Sequence, residues 1–169
     1  MVRRDWCPLS KRIGKQILEF ILSIDTAIED VITNIHNYLK SQKEQLTSMK
    51  LEDFVITKSL SKVPELYSKS TPLPHVTVAL ALVQQGKSVR VGDFIPYVIC
   101  APIDDSQESV SYAHRAYHPD HVKKAAGLLE IDFNWFADFL LFPSFPFLSQ
   151  LKLILPPAGT WKTKYSLLF

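Results

Sequence analysis

The chain has 169 residues, 47% of them hydrophobic and 21% charged, with a formal net charge of +2. That length suits one domain, or one domain with an appendage, and the balance of apolar and charged residues excludes wholesale disorder. Cys7 and Cys100 lie far apart with no CxxC pair, so they read as reduced, buried thiols of an intracellular protein rather than a disulfide framework.

Charge is distributed in blocks. Residues 1–16 carry five basic side chains against one acid, 17–49 two against five, 50–90 six against three, 91–139 three against eight, and the last thirty three against none. Blocks of this kind let a nearly neutral protein turn a cationic face to phosphate while keeping acids elsewhere. The opening residues lack the apolar stretch of a signal peptide, and no lysine cluster of a nuclear-import signal is visible.

From Lys11 to about Leu46, Ile13, Ile17, Phe20, Ile21, Ile24, Ile28, Val31, Ile32, Ile35 and Leu39 recur at steps of three and four. That stripe predicts amphipathic helix packed on a core, and Thr26 with Glu29 forms a capping-box pattern. Two helices meeting near 23–25 are therefore expected. The β-branched run 54–57 reads as a strand, and the Ser-, Lys- and Pro-rich stretch from Lys58 to Pro74 as a surface loop. Residues 75–83 alternate like a strand, but Pro74 ahead and the alanines within favour helix. A turn at 85–87 follows, then a turn at 91–93 leading into a buried strand that ends at Cys100. Residues 104–109 form a polar loop, Tyr117 to His121 open a short helix through Lys123, Lys124 and Ala126, and Ile131 to Phe136 open another.

Residues 139–148 are almost wholly Phe, Leu, Pro and Ser, too short and too proline-broken to cross a membrane. Pyrimidine-rich codons specify those four residue types. Translated intron or frameshifted sequence with little order is therefore expected over 137–169.

Several short blocks carry a family resemblance. Arg3–Cys7 (RRDWC), Phe54–Lys62 (FVITKSLSK), Pro74-His75-Val76, Val78-Ala79, Gly92-Asp93, Tyr97–Cys100 (YVIC), Arg115 with Tyr117, and Ile131-Asp132 occur in that order. The series resembles the end of the palm and the thumb of B-family DNA polymerases, in particular the alpha-type replicative ones, over roughly residues 2–136. The resemblance implies an α+β, mainly helical fold, with long N-terminal helices and a few short strands. Residues 1–10 would close the palm, 11–136 form the thumb-like domain, and 137–169 diverge from the family. It also implies a nuclear protein that binds a primer–template duplex, DNA or RNA–DNA hybrid, beside the remaining palm and other replication subunits.

Catalysis in this family rests on two magnesium ions held by palm aspartates, in a tyrosine-led Asp-Thr-Asp motif and an Asp-x-x-Ser-Leu-Tyr block. Neither string occurs here. Phosphoryl transfer needs carboxylates converging on metal ions, so this piece is expected to hold no cofactor and to be inert alone. Asp104-Asp105 reads as a solvated pair in a loop. His114, His118 and His121 are close enough to suggest zinc, but Pro119 interrupts their spacing and no cysteine is near.

Thumb binding of nucleic acid requires attraction to phosphate, from Lys, Arg, hydroxyl and backbone N–H donors. Lys58 is the first candidate, because it lies in a block that carries the resemblance, followed by Ser59 and Lys62. Lys69, Lys87 and Arg90 are surface cations of second rank. Arg3 and Arg4 would touch the duplex near the palm–thumb seam or pair with palm acids. His75 reads as a capping or packing residue, and Arg115 and Tyr117 as structural. A non-catalytic protein-interaction module built on the same scaffold stands as the alternative.

Overall fold

A computed structural model describes residues 6–23, 27–103, 111–125 and 127–141. The described elements are α1 (Pro8–Ile21), α2 (Ile28–Gln45), β1 (Ile56–Ser59), α3 (Pro74–Gln84), β2 (Phe94–Ile99), β3 (Ala116–Tyr117), α4 (Pro119–Lys124) and α5 (Phe133–Leu141). Short 3-10 turns at Leu46–Ser48, Leu51–Phe54, Pro64–Leu66 and Tyr112–Arg115 join them. This is the α+β, mainly helical architecture that the blocks imply. No helix among the described residues is long and apolar enough to cross a membrane.

The isoleucine stripe behaves as expected at its base and not at its tip. Leu9, Ile13 and Ile17 of α1 are buried, and Phe20, Ile21 and Val31 pack against them partly covered. Ile28, expected in the core, is 59% exposed, since no described residue covers it at the start of α2. The helix start also differs from the one expected at Thr26, which lies outside the described residues. Ala27 is the N-cap of α2, without a side-chain cap, and its carbonyl accepts from the N–H groups of Asp30 and Val31. For α1 the cap is unusual: the Cys7 thiol accepts from the backbone N–H of Ser10 and lies 3.1 Å from its hydroxyl.

The strand expected at 54–57 is displaced. Phe54 closes a 3-10 turn, fully buried, with its ring edge-on to Phe133 at 5.5 Å and Phe136 at 5.1 Å. Burying such a side chain is worth roughly 2–3 kcal/mol, and here that outweighs the local strand preference. The strand starts instead at Ile56 and carries Lys58 and Ser59.

β2 is the middle strand of an antiparallel sheet in the order β1-β2-β3. Ile56 pairs with Tyr97, Lys58 with Ile95 and Ser59 with Phe94, while Val98 pairs with Tyr117 on the other side. Pro96 faces Thr57 and lies beyond the reach of β3, which is how a proline survives in a central strand. α3 packs across β2, and Val76, Val78 and Ala79 share one core with Ile95, Tyr97, Val98 and Ile99.

The preference for helix over strand at 75–83 is correct. Pro74 sits in the first turn, where its missing N–H costs nothing. At the other end the N–H of Gly86 donates to the carbonyl of Val83 and that of Lys87 to Leu82, a reciprocal C-terminal cap that needs the positive φ of 79° at Gly86. α5 runs through the expected boundary at 136 to Leu141. The rest of the apolar stretch and the Asp104–Asp105 loop lie outside the described residues.

Candidate nucleic-acid interface

Antiparallel pairing between β1 and β2 gathers cations that are distant in sequence. Beyond Ser59 and Phe94 the ladder continues: Leu60 donates to the carbonyl of Asp93, and the N–H of Gly92 donates back to Leu60. Gly92 takes a φ of 92°, which lets the chain turn there. The turn is locked by the Asp93 carboxylate, which accepts from the backbone N–H of Arg90 at 2.7 Å. Arg90 thus joins Lys58, Ser59 and Lys62 at one end of the sheet, all four exposed. Among the described residues none of the three cationic side chains pairs with a carboxylate.

Lys62 is held against a ring. Its ammonium lies 4.9 Å from the centroid of Tyr67, and the Tyr67 hydroxyl accepts from the Ser61 backbone N–H at 2.8 Å and meets the Ser61 hydroxyl at 3.0 Å. Burial works against ionisation of this phenol, but its bonds to Ser61 and the Lys62 charge together leave its pKa below the usual value. The stretch 58–74, expected as a surface loop, has internal structure and buries Leu60 and Pro64.

Behind Tyr67 stands His75, the second residue of α3, edge-on at 6.0 Å. It is 3% exposed, and its Nδ1 has no hydrogen-bond partner among the described residues. Burial first, and the Lys58 charge second, push its pKa down to about 4. The packing role expected for it agrees with this placement.

The other candidates lie elsewhere. Lys87 follows the far end of α3, where its charge acts on His118. Lys69 is exposed on the loop before α3. Arg3 and Arg4 lie outside the described residues. Arg115 bonds the Cys100 carbonyl at 3.0 Å and the Asp132 carboxylate at 2.6 Å, and Asp132 also caps α5 through the N–H of Trp135. Tyr117 pairs with Val98 in the sheet and stacks edge-on to His121.

Two positions on the interface escape a reading of the sequence. Phe94 falls in a stretch expected to be buried, yet it is 70% exposed, because its register opposite Ser59 puts it on the outer face of the sheet. Tyr67 is a lone aromatic in a Ser- and Lys-rich loop, a weak signal that could have singled it out.

Among the described residues no three His, Cys, Asp or Glu side chains come together, so these residues do not fit the paired magnesium ions of a polymerase site. His118 instead caps α4, accepting from the N–H of Asp120. An open groove of about 340 Å³ beside the start of β1 is lined by Trp6, Pro8, Lys11, Glu52, Val55 and Thr57. Its one carboxylate is paired with Lys123 at 2.7 Å, which holds the Glu52 pKa below the ordinary value.

Comparison with known proteins extends the geometry. The family model described as DNA polymerase family B matches residues 1–147, past the point at which the short blocks end. The DNA polymerase alpha catalytic subunit of Sterkiella nova is 42% identical over 149 residues, covering 85% of this chain and 10% of that protein. The subunit of the same name from Oryza sativa subsp. japonica is 42% identical over 147 residues, with the same two coverages. Among solved structures, the family B DNA polymerase of the hyperthermophilic archaeon Pyrobaculum calidifontis superposes with a TM-score of 0.67 at 25% identity. That likeness covers 83% of this chain and 17% of the archaeal one. The chain spans about a tenth of the length of the curated relatives it matches. A family-model match along most of the sequence, together with relatives more than 40% identical over 85% of the chain, means that the chain belongs to DNA polymerase family B.

Proposed function

We propose that this chain is the thumb of a replicative family B polymerase, and that it grips the primer–template duplex by its phosphates without itself making bonds. The observation that carries the reading is the placement of Lys58, Ser59, Lys62 and Arg90 at one exposed end of the β1–β2 ladder, with no carboxylate paired to the three cations among the described residues. Contacts to phosphate carry no sequence information, which suits a part that must hold any primer. An RNA-primed duplex has A-form shape, and it would be accepted through backbone contacts. Bond formation belongs to carboxylates and metal ions supplied elsewhere in the parent enzyme, whose palm and partner subunits would be neighbours of this surface in the nucleus.

Fluorescence anisotropy with a short RNA–DNA duplex tests this. Three phosphate contacts predict a slope of about −2.7 in log affinity against log salt, a loss of about 40-fold between 50 and 200 mM. Replacing Lys58, Lys62 or Arg90 by alanine should each lower that slope by about one. No binding at low salt would favour the protein-interaction module instead.

A further inference from the structure

We propose that Tyr67 is a positioning residue that presents Lys62 and Ser61 to a nucleic-acid phosphate, an inference that rests on the thumb reading above. A lysine on a free loop loses rotamer entropy when its ammonium is fixed. Here much of that ordering precedes binding, because the ammonium already rests on the Tyr67 ring at 4.9 Å. The ring is itself anchored, edge-on to His75 in the first turn of α3. An ammonium on a ring face keeps its outer N–H bonds pointing to solvent, ready for an anion.

The hydroxyl end does a second job. The Ser61 backbone N–H donates to the Tyr67 oxygen at 2.8 Å, and the Tyr67 and Ser61 hydroxyls lie 3.0 Å apart, where either can donate. When the phenol donates to Ser61 Oγ, the hydroxyl hydrogen of Ser61 is left to donate outward. Ser61 is exposed and next to Lys62, so one phosphate can take a charge-assisted bond from the lysine and a second bond from the serine. Tyr67 touches no ligand in this arrangement and acts only through its two neighbours.

The test is a double-mutant cycle on duplex affinity in the full chain, with Tyr67→Leu, Tyr67→Phe, Lys62→Ala and the Tyr67→Leu/Lys62→Ala pair. Tyr67→Leu should weaken binding about as much as Lys62→Ala, roughly five-fold, and the pair should lose no more than the worse single variant. Tyr67→Phe keeps the ring and loses the Ser61 bonds, so it should recover part of the loss. In the free protein the Lys62 ε-methylene protons should be shifted upfield by the ring in wild type and in Tyr67→Phe, and unshifted in Tyr67→Leu. Additive losses, or unshifted Lys62 protons in wild type, overturn the proposal. A wild-type chain that binds no duplex at low salt overturns the thumb reading together with this one, whereas additivity in a chain that does bind overturns this one alone.

Discussion

His75 enters α3 almost wholly covered, with Lys58 and Tyr67 as polar neighbours and, among the described residues, no partner for Nδ1. Acid should expose the cost of that arrangement. Above pH 6.5 the imidazole is neutral in the folded and the unfolded chain, so pH has no leverage through it. As pH falls below 6.5 the unfolded chain takes up the proton first, because the folded imidazole is held down to about 4. Stability is therefore lost progressively between 6.5 and about 4, and the gap amounts to roughly 3 kcal/mol. Urea midpoints followed by tryptophan fluorescence at pH 7 and pH 4, in wild type and His75→Leu, isolate the effect, since surface carboxylates titrate alike in both. The variant should lose roughly 3 kcal/mol less than wild type over that interval. Parallel losses in the two proteins would refute the argument, because they would mean that His75 is protonated in the fold at little cost.

Three further outcomes follow from the same packing. Asp132→Ala removes the cap of α5 and strands the Arg115 guanidinium, whose side chain is 13% exposed. Thermal unfolding should report a loss of about 3–5 kcal/mol, and a loss under about 1 kcal/mol would contradict the role assigned to the pair. Phe94→Ala should weaken duplex binding by about 1 kcal/mol with an unchanged salt slope, since an apolar contact releases no counterions. A changed slope would mean that Phe94 acts by moving the neighbouring cations. Cys7 and Cys100 are both 0% exposed, and burial, aided by Asp132, pushes the Cys100 thiol up to about 11. Neither should react with a thiol reagent at pH 8 until the chain is unfolded, and rapid labelling of the native chain would count against their burial.

What the sequence made legible is what local chemistry decides. Pro74 and the alanines of α3, the glycine cap at Gly86, and the helical stripe of α1 each specify their element within a few residues. Phe54 shows the limit, because its strand propensity is overridden by rings at Phe133 and Phe136 that lie far along the chain. Ile28 fails for the opposite reason: a periodic stripe predicts a buried face only where a neighbour exists to cover it. On the interface, Lys58, Ser59 and Lys62 could be named because they sit together in a recognisable block. That Arg90 joins them and Lys87 does not depends on the register Ser59↔Phe94 and on the Asp93 lock of the following turn. Phe94 itself was hidden because an alternating pattern does not reveal which face is outward until that register is fixed.

In the order β1-β2-β3, and among the described residues, β1 has a neighbour on one side only. A bare strand margin of this kind is a template on which a second chain can add, and soluble proteins commonly block it with charge. Lys58 lies on that margin, so neutralising it would do more than loosen a hold on phosphate. It would also remove a guard against self-association, and at high concentration the neutral chain should be the one that forms sheet-to-sheet assemblies.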